Sequence, residues 1–142
     1  MLVLKMTGLV VCVVVLAAAS AYGVLHRRRS GRVRVRGRDG GKRLGVAELG
    51  DDLGEKATLV QFSSAFCAPC RATRRVLGEV AGMVPGVSHI EIDAEDHLDL
   101  VRELDILKTP TVLVLDAEGR VVRRATGLPR KADVIAALGE AV

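Results

Sequence analysis

The stretch Leu59–Cys70, LVQFSSAFCAPC, joins an apolar run to a pair of cysteines, and it decides the fold. The apolar run belongs to Ala57–Phe62, which has turn-forming residues on both sides and is therefore predicted to be a buried strand. After Cys70 the apolar residues recur at a helical spacing: Val76, Leu77, Val80 and Val84. Pro85-Gly86 ends this pattern. The cysteine pair is thus predicted to lie between a buried strand and a helix.

The rest of the chain from Lys42 onward alternates predicted helices and strands. The elements are a short helix over Val46–Leu53, strands over Val87–Asp93, Thr111–Leu115 and Val121–Ala125, a short helix over His97–Leu104, and a last helix opened by Pro129. Strands that alternate with helices predict an α/β fold with a central mixed sheet flanked by helices, in which the final hairpin supplies an antiparallel edge.

Three cysteines are present, at positions 12, 67 and 70. A bond between Cys67 and Cys70 closes a tiny loop and removes little entropy from the unfolded chain, so a structural role is disfavoured. Redox chemistry and metal binding remain. A structural zinc site needs four ligands, and only one C-x-x-C pair exists. The histidines show no ligand spacing: His26, His89 and His97. The pair therefore favours redox chemistry over a zinc or thiol-binding module.

Each residue around the pair has a chemical use in redox exchange. A helix N-terminus presents free N–H groups and partial positive charge, which stabilise a thiolate at Cys67. The thiolate is the species that attacks a disulfide, and Cys70 lies one turn further on, where it can resolve the mixed disulfide. Pro69 has a fixed φ that suits a first helical turn. Arg71 and Arg74 are expected to add favourable potential for the thiolate.

From about residue 42 to residue 142 the chain resembles the thioredoxin family. The resemblance is carried by LVQFSSAFCAPC with its following helix, by Lys108-Thr109-Pro110-Thr111 before a strand, and by Gly127 after the hairpin. It looks like a membrane-anchored, single-pass bacterial member. The resemblance implies the thioredoxin fold and a protein-disulfide oxidoreductase with Cys67 and Cys70 as catalytic residues. It implies no cofactor, because the dithiol is itself the redox group.

The resemblance also implies where substrate binds. In the family the proline opposite the C-x-x-C motif is cis, and the residue before it offers its backbone to the substrate chain. Pro110 and Thr109 match these two places. The residues next to the reactive thiol complete the expected substrate-binding set: Phe66, Ala68 and Pro69.

Departures from the family pattern concern proton transfer. The usual active site is WCGPC, and here Phe66 replaces the Trp and Ala68 the Gly. The buried Asp of the family falls at Gln61, and its partner Lys falls at His89. An amide cannot take the proton of the buried cysteine, so His89, a water molecule or no dedicated base is left to serve. We treat Gln61 and His89 as a candidate proton relay; the alternative is a strand histidine that faces solvent.

The N-terminal segment is predicted to be a membrane anchor. Seventeen residues from Leu9 to Leu25 carry no charge, and Thr7 and Gly8 extend the run to nineteen. This length is close to the ~20 residues that a helix needs to cross a bilayer. We predict a span over 7–25 with Tyr22 near an interface. The alternative is a cleaved signal, since Ala19-Ser20-Ala21 resembles a cleavage site.

Charge is divided unevenly along the chain. Residues 1–41 contain eight Lys or Arg against one acidic residue, while residues 42–142 contain thirteen against sixteen. Positive charge beside a span stays on the cytoplasmic side, so the arginines after the span place the following domain in the cytoplasm; the alternative is an extracytoplasmic domain. The predicted organisation is an anchor over 1–26, a flexible Arg/Gly-rich linker over 27–41 and a thioredoxin-like domain over 42–142.

The sequence therefore favours a membrane-tethered thiol–disulfide oxidoreductase. Its expected partners are disulfide-containing protein substrates, a reductase or membrane redox partner, and the lipid bilayer. No nucleic acid is expected, because no aromatic residue is interleaved with the arginines to stack on bases. The competing function is a membrane-tethered interaction module that keeps the fold but has little turnover.

Overall fold

The computed structural model describes residues 1–29, 33–34 and 42–142. The chain divides into two compact units, Met1–Ser30 and Gly31–Val142. The first unit contains helix α1 (Leu2–Arg29). Its segment Leu2–His26 has a mean hydropathy of 2.5 and is long and apolar enough to cross a membrane, a property that signal sequences share. The helix continues past the predicted span and includes the first arginines, which are good helix formers.

The second unit contains the remaining helices and strands. They are β1 (Val33–Arg34), α2 (Val46–Leu49), β2 (Ala57–Ser63), α3 (Ala68–Met83), β3 (Val87–Asp93), α4 (Leu98–Glu103), β4 (Thr111–Asp116), β5 (Val121–Thr126) and α5 (Lys131–Ala141). From α2 onward, their order is the one that the sequence predicts. The α/β fold class is therefore confirmed.

One mixed sheet organises this unit, with the strand order β1-β5-β4-β2-β3. β2 lies inside the sheet, parallel to β3 and antiparallel to β4. β5 pairs antiparallel to β4, as the predicted hairpin requires. Phe62 of β2 pairs with Thr111 of β4, so the end of β2 that leads to the cysteines lies beside the start of β4. This register brings the two predicted motifs together.

The sheet separates two apolar cores, because successive side chains of a strand point to opposite faces. On one face, Leu59 of β2 packs with Leu77 of α3 and Leu138 of α5. On the other, Phe62 packs with Leu49 of α2 and Leu100 of α4. The helices therefore flank the sheet on both sides. Gln61 lies on the same strand face as Leu59, the face that α3 covers.

Two expectations about local structure are corrected. Helix α2 ends at Leu49 and not at Leu53, because Gly50 adopts a left-handed conformation with φ 74° that closes the helix. The segment over 27–41 was expected to be a linker throughout. Its first three residues belong to α1, and Val33 and Arg34 pair with β5 as an added edge strand. Residues 30–32 and 35–41 of the expected linker lie outside the described residues.

Candidate active site

The cysteines lie where β2 passes into α3. Cys67 is the N-cap residue of the helix, and its Sγ accepts a hydrogen bond from the backbone N–H of Cys70 at 3.2 Å. Pro69 occupies the first turn, where its missing N–H leaves no helical hydrogen bond unmade. The free N–H groups of the first turn therefore point toward the sulfur of Cys67, where they stabilise negative charge when the disulfide is reduced.

The two cysteines form a disulfide, so the structure represents the oxidised protein. Their exposures differ: Cys67 is half-buried, whereas the Cys70 side chain lies in the core with 2% of its surface exposed. A second molecule can therefore approach the sulfur of Cys67, whereas the sulfur of Cys70 is shielded from a second molecule and accessible to Cys67. This asymmetry suits an attacking thiol at Cys67 and a resolving thiol at Cys70.

A cavity of about 570 Å³ lies beside the disulfide. Its lining residues are Ser64, Ala65, Phe66, Cys67, Ala68, Cys70, Arg71 and Arg74. Phe66 is fully exposed although it is a large apolar residue. An exposed aromatic ring beside a reactive sulfur provides apolar contact area for a partner. Pro69, predicted in the same set, is exposed on the first turn of α3.

Thr109, next to Pro110, is hydrogen-bonded to Ser64, a residue that lines this cavity. The Ser64 and Thr109 hydroxyl groups lie 2.9 Å apart, which ties the strand-to-helix loop to the segment before β4. The Thr109–Pro110 peptide bond is cis, as the family resemblance implies. The Pro110 carbonyl accepts a hydrogen bond from the N–H of Gly127 at 2.8 Å. Thr109 is partly exposed and Pro110 is buried.

Gln61 is completely buried, and three hydrogen bonds satisfy its amide. Its Nε2 donates to the Cys70 carbonyl at 2.8 Å and to the Ser63 hydroxyl at 2.9 Å. Its Oε1 lies 3.1 Å from Nε2 of His89. The two residues of the candidate relay are therefore in contact, and they connect to Cys70 through its backbone. His89 is half-buried and does not face solvent as the alternative interpretation expected.

An ion pair closes the far side of this network. Arg74 forms a bidentate pair with Glu91, which lowers the pKa of Glu91 and raises that of Arg74. The Ser63 hydroxyl also contributes to lowering the pKa of Glu91. Burial lowers the pKa of His89; the Glu91 charge opposes this effect and Arg74 adds to it. The neutral form of His89 is therefore favoured.

The structure distinguishes Arg71 from Arg74, the two residues expected to add positive potential at the cysteines. Both side chains line the cavity. The positive charge of Arg74 is largely offset by the Glu91 carboxylate, so it adds little potential at the cysteines. Among the described residues, Arg71 is exposed and forms no ion pair.

Sequence reasoning missed Ser63, Ser64 and Glu91. Two of these could have been found from strand alternation: Ser63 lies on the same face of β2 as Gln61, and Glu91 lies on the same face of β3 as His89. A helical Arg74 facing that strand then suggests the ion pair. The bond from Ser64 to Thr109 joins distant segments, so no local pattern reveals it.

Metal binding finds no further support in the structure. Within residues 1–29, 33–34 and 42–142, no group of three or more His, Cys, Asp or Glu side chains is arranged to hold a metal ion. A structural zinc ion requires about four such ligands. The chemistry that the described site supports is thiol–disulfide exchange.

The comparisons with known proteins agree with this geometry. A sequence model of the thioredoxin family matches residues 47–140. The chain is 31% identical over 90 residues to a thioredoxin of Mycolicibacterium smegmatis, covering 61% of this chain and 80% of that protein. It is 34% identical over 74 residues, or 52% of this chain, to thioredoxin domain-containing protein 2 of mouse, and it spans only 14% of that protein's length.

Solved structures show the same fold. Thioredoxin F from spinach chloroplast, in its short form, superimposes with a TM-score of 0.55 and 25% sequence identity, covering 62% of this chain and 78% of the spinach chain. The family match, over residues 47–140, lies within the unit that contains the mixed sheet.

Proposed function

Because the chain belongs to the thioredoxin family and has its fold, we propose that it is a thiol–disulfide oxidoreductase that acts on protein disulfides. The observation that carries the proposal is the Cys67–Cys70 pair at the start of α3, with one sulfur accessible and one buried. No cofactor is required, since the two sulfurs hold the electron pair that is exchanged.

The reaction proceeds in two steps. The thiolate of Cys67 attacks one sulfur of the substrate disulfide, which forms a mixed disulfide and releases the other substrate sulfur as a thiolate that takes up a proton. The thiol of Cys70 then loses its proton and attacks Cys67. This second step breaks the mixed disulfide, releases the second substrate thiol and leaves the Cys67–Cys70 disulfide. The substrate gains two electrons, and the protein loses them.

Substrate binding is assigned to the surface around Cys67. Phe66 and Ala68 line the cavity, Pro69 is exposed beside it, and the Thr109 hydroxyl is hydrogen-bonded to that of Ser64, which also lines the cavity. An extended substrate segment would lie along Thr109 while its disulfide meets Cys67. The specific protein substrates and the reductase or membrane redox partner that returns electrons are part of this proposal.

Tethering to a membrane is proposed from α1. Its apolar length matches a bilayer, and the arginines that follow favour a cytoplasmic location for the domain. In a reducing compartment the pair acts as a reductant of other proteins. The proposed organisation is an anchor over 1–26, a redox domain over 42–142, and between them a segment over 27–41 whose first three residues continue α1 and whose Val33 and Arg34 pair with β5.

Reduction of the disulfides of insulin by the full-length chain in detergent micelles tests the proposal. We expect turnover with dithiothreitol as electron donor and loss of activity in Cys67→Ser; reduced Cys70→Ser, freed of dithiothreitol before insulin is added, should accumulate a mixed disulfide with the substrate. Cys12→Ser is the matched control, since Cys12 lies in α1 and should not affect turnover. A chain that binds insulin but reduces it no faster than Cys67→Ser would instead be an interaction module with little turnover.

A further inference from the structure

Gln61 is a polar side chain in a place where an unsatisfied polar group is costly. It lies in β2 beneath the first turn of α3, with 0% of its surface exposed. A buried amide is tolerated only when its hydrogen-bonding groups find partners. Each polar atom of this amide has one or more partners, and one partner is the backbone of the resolving cysteine.

The partners determine which way the amide points. The Cys70 carbonyl can only accept, so the atom that faces it must be the Nε2 donor. The second hydrogen of Nε2 goes to the Ser63 hydroxyl oxygen, which accepts it at 2.9 Å. Oε1 is then an acceptor, and Nε2 of His89 must carry the hydrogen that it receives. The Cys70 carbonyl thus fixes the orientation of the amide, and His89 completes it by donating to Oε1.

This arrangement argues against a proton relay. The amide contacts the carbonyl of Cys70 and not its thiol, and an amide nitrogen with both hydrogens donated has no capacity to take a proton. Gln61 also separates His89 from Cys70. The charged groups that face His89 are Glu91 on its own strand and Arg74 on α3, and these two groups neutralise each other.

We propose that Gln61 is a positioning residue: its amide, hydrogen-bonded also to His89, holds Cys70 by the backbone carbonyl in the place from which the Cys70 thiol attacks the mixed disulfide. The hydrogen bond from Gln61 to the Cys70 carbonyl joins β2 to the first turn of α3, in addition to the hydrogen bonds that Cys70 makes within the helix start. Small displacements of a reacting atom slow an intramolecular attack strongly. The inference rests on the proposed redox function, because it assigns Cys70 to the resolving step.

The two redox steps can be observed separately with a chromogenic aromatic disulfide. The reduced full-length chain, in detergent and in a Cys12→Ser background, is mixed with one equivalent of the reagent. Attack by Cys67 releases one coloured thiolate, and attack by Cys70 on the mixed disulfide releases the second. Gln61→Met keeps the side-chain volume but removes the donor. We expect the first phase to change by less than about two-fold and the second to slow by roughly ten-fold or more.

Thr58→Val is the matched control for loss of stability. Thr58 is a buried polar residue of the same strand whose Oγ1 accepts a hydrogen bond from the N–H of Gly54 at 2.9 Å, away from the cysteines. We expect it to lower the melting temperature and leave both phases unchanged. If Gln61→Met slows neither phase, or slows both equally, the positioning role is wrong. If the Cys12→Ser protein with Gln61, Cys67 and Cys70 unchanged showed neither coloured phase, the redox function itself would be contradicted.

Gln61→Glu gives a second test that does not depend on Gln61→Met folding. A protonated carboxyl can donate to the Cys70 carbonyl, whereas an ionised one can only accept. The second-phase rate of Gln61→Glu relative to the unsubstituted protein should therefore fall as the pH rises from about 5.5 to about 8, the range in which a buried Glu ionises. A relative rate that rises over this range would show that a missing base limits the step, and it would overturn the proposal.

His89→Ala should leave the pH profile of the second phase unchanged in shape. A shifted profile would show that His89 takes part in proton transfer, and it would contradict the positioning role.

Discussion

The chemical environment of Cys67 follows from its position as the last residue before α3. An N-cap residue accepts hydrogen bonds from the first helical N–H groups, and a sulfur in that position accepts one from Cys70. The same N–H groups favour the thiolate over the thiol after reduction. Arg71, exposed one turn into the helix, adds positive charge that no described acidic side chain pairs with. The reactivity of one sulfur thus depends on backbone geometry first and on a side-chain charge second.

His89 should make the stability of the domain depend on pH. Burial lowers its pKa in the folded protein below the ordinary value of about 6.5. Between these two pKa values the unfolded chain binds more protons than the folded one, so the free energy of unfolding falls as the pH drops through this range. Above about 6.5 the contribution of His89 is complete. We expect urea unfolding, followed by circular dichroism because the chain has no Trp, to show this loss on acidification.

The variant His89→Gln isolates this effect, since Gln stays neutral and can still donate to Gln61. It should show a smaller loss of stability below about pH 6.5 than the wild type. His97→Gln is the control, because the His97 side chain is exposed and its Nδ1 lies 3.0 Å from the Asp93 carbonyl on the protein surface. An equal loss of stability in wild type and His89→Gln would show that His89 does not carry the effect.

Much of the site could be predicted at the residue scale, because its chemistry is local in sequence. The C-x-x-C spacing and the preceding strand are enough to place both cysteines at a helix start. The contact between Gln61 and His89 required an alignment with the family pattern, and the structure confirms that the two side chains meet. The ion pair between Arg74 and Glu91 joins residues 17 positions apart on α3 and β3, so it can be suggested only after both elements and their facing sides have been placed.

Helix α3 is the element that connects core packing to the cysteines. Its inward side chains Leu77 and Val80 are completely buried against the sheet, while Met83 at its end is exposed. The axis of the helix, and therefore the placement of Cys67 and Cys70 at its N-terminus, depends on this packing. Thr73 adds a bond within the helix, from its Oγ1 to the Pro69 carbonyl at 2.8 Å.

Leu77→Ala should destabilise the domain by about 2–5 kcal/mol, because removing a fully buried side chain leaves a cavity that the surroundings fill only partly. Met83→Ala, on the same helix but 59% exposed, is the matched control and should change stability by less than about 0.5 kcal/mol. Urea unfolding of the oxidised protein measures both. Equal effects of the two substitutions would mean that α3 does not pack as described.

The sequence predicts long, periodic elements better than short ones. The residues of α3 and β2 repeat at clear helical and strand spacings, so both are found within a few positions of their observed ends. Helix α2 contains only four residues, and its end depends on the left-handed conformation of Gly50. Strand β1 contains two residues amid arginines and forms because β5 offers an edge. A pairing partner far away in sequence leaves no trace in the local pattern.

At the scale of the whole chain, the net charge is positive over residues 1–41 and negative over residues 42–142. The unit Met1–Ser30 contains the apolar segment of α1, and seven of the eight basic side chains in the first 41 residues follow that run. The unit Gly31–Val142 carries the redox pair. Arginines beside a span resist translocation, and each basic residue near an anionic surface contributes about 1 kcal/mol of attraction. A redox domain joined to such a segment is expected to work at the cytoplasmic surface of the membrane.

Labelling with a membrane-impermeant maleimide tests this orientation. Glu118→Cys introduces an exposed thiol on the turn between β4 and β5, in a background in which Cys12, Cys67 and Cys70 are replaced by Ser. We expect no labelling in intact cells and full labelling after lysis. Leu2→Cys, in the same background, is the matched control at the opposite end of the span, and we expect it to label in intact cells.

The pair of variants separates the alternatives that the sequence leaves open. Labelling of Glu118→Cys in intact cells, with Leu2→Cys protected, would reverse the orientation and place the disulfide in an oxidising compartment. Loss of the Leu2→Cys label even after lysis, with a shortened chain, would identify α1 as a cleaved signal and not an anchor. Because the compartment sets the redox poise against which Cys67 and Cys70 exchange electrons, the same result decides the direction of the reaction: reduction of cytoplasmic disulfides, or exchange with secreted thiols.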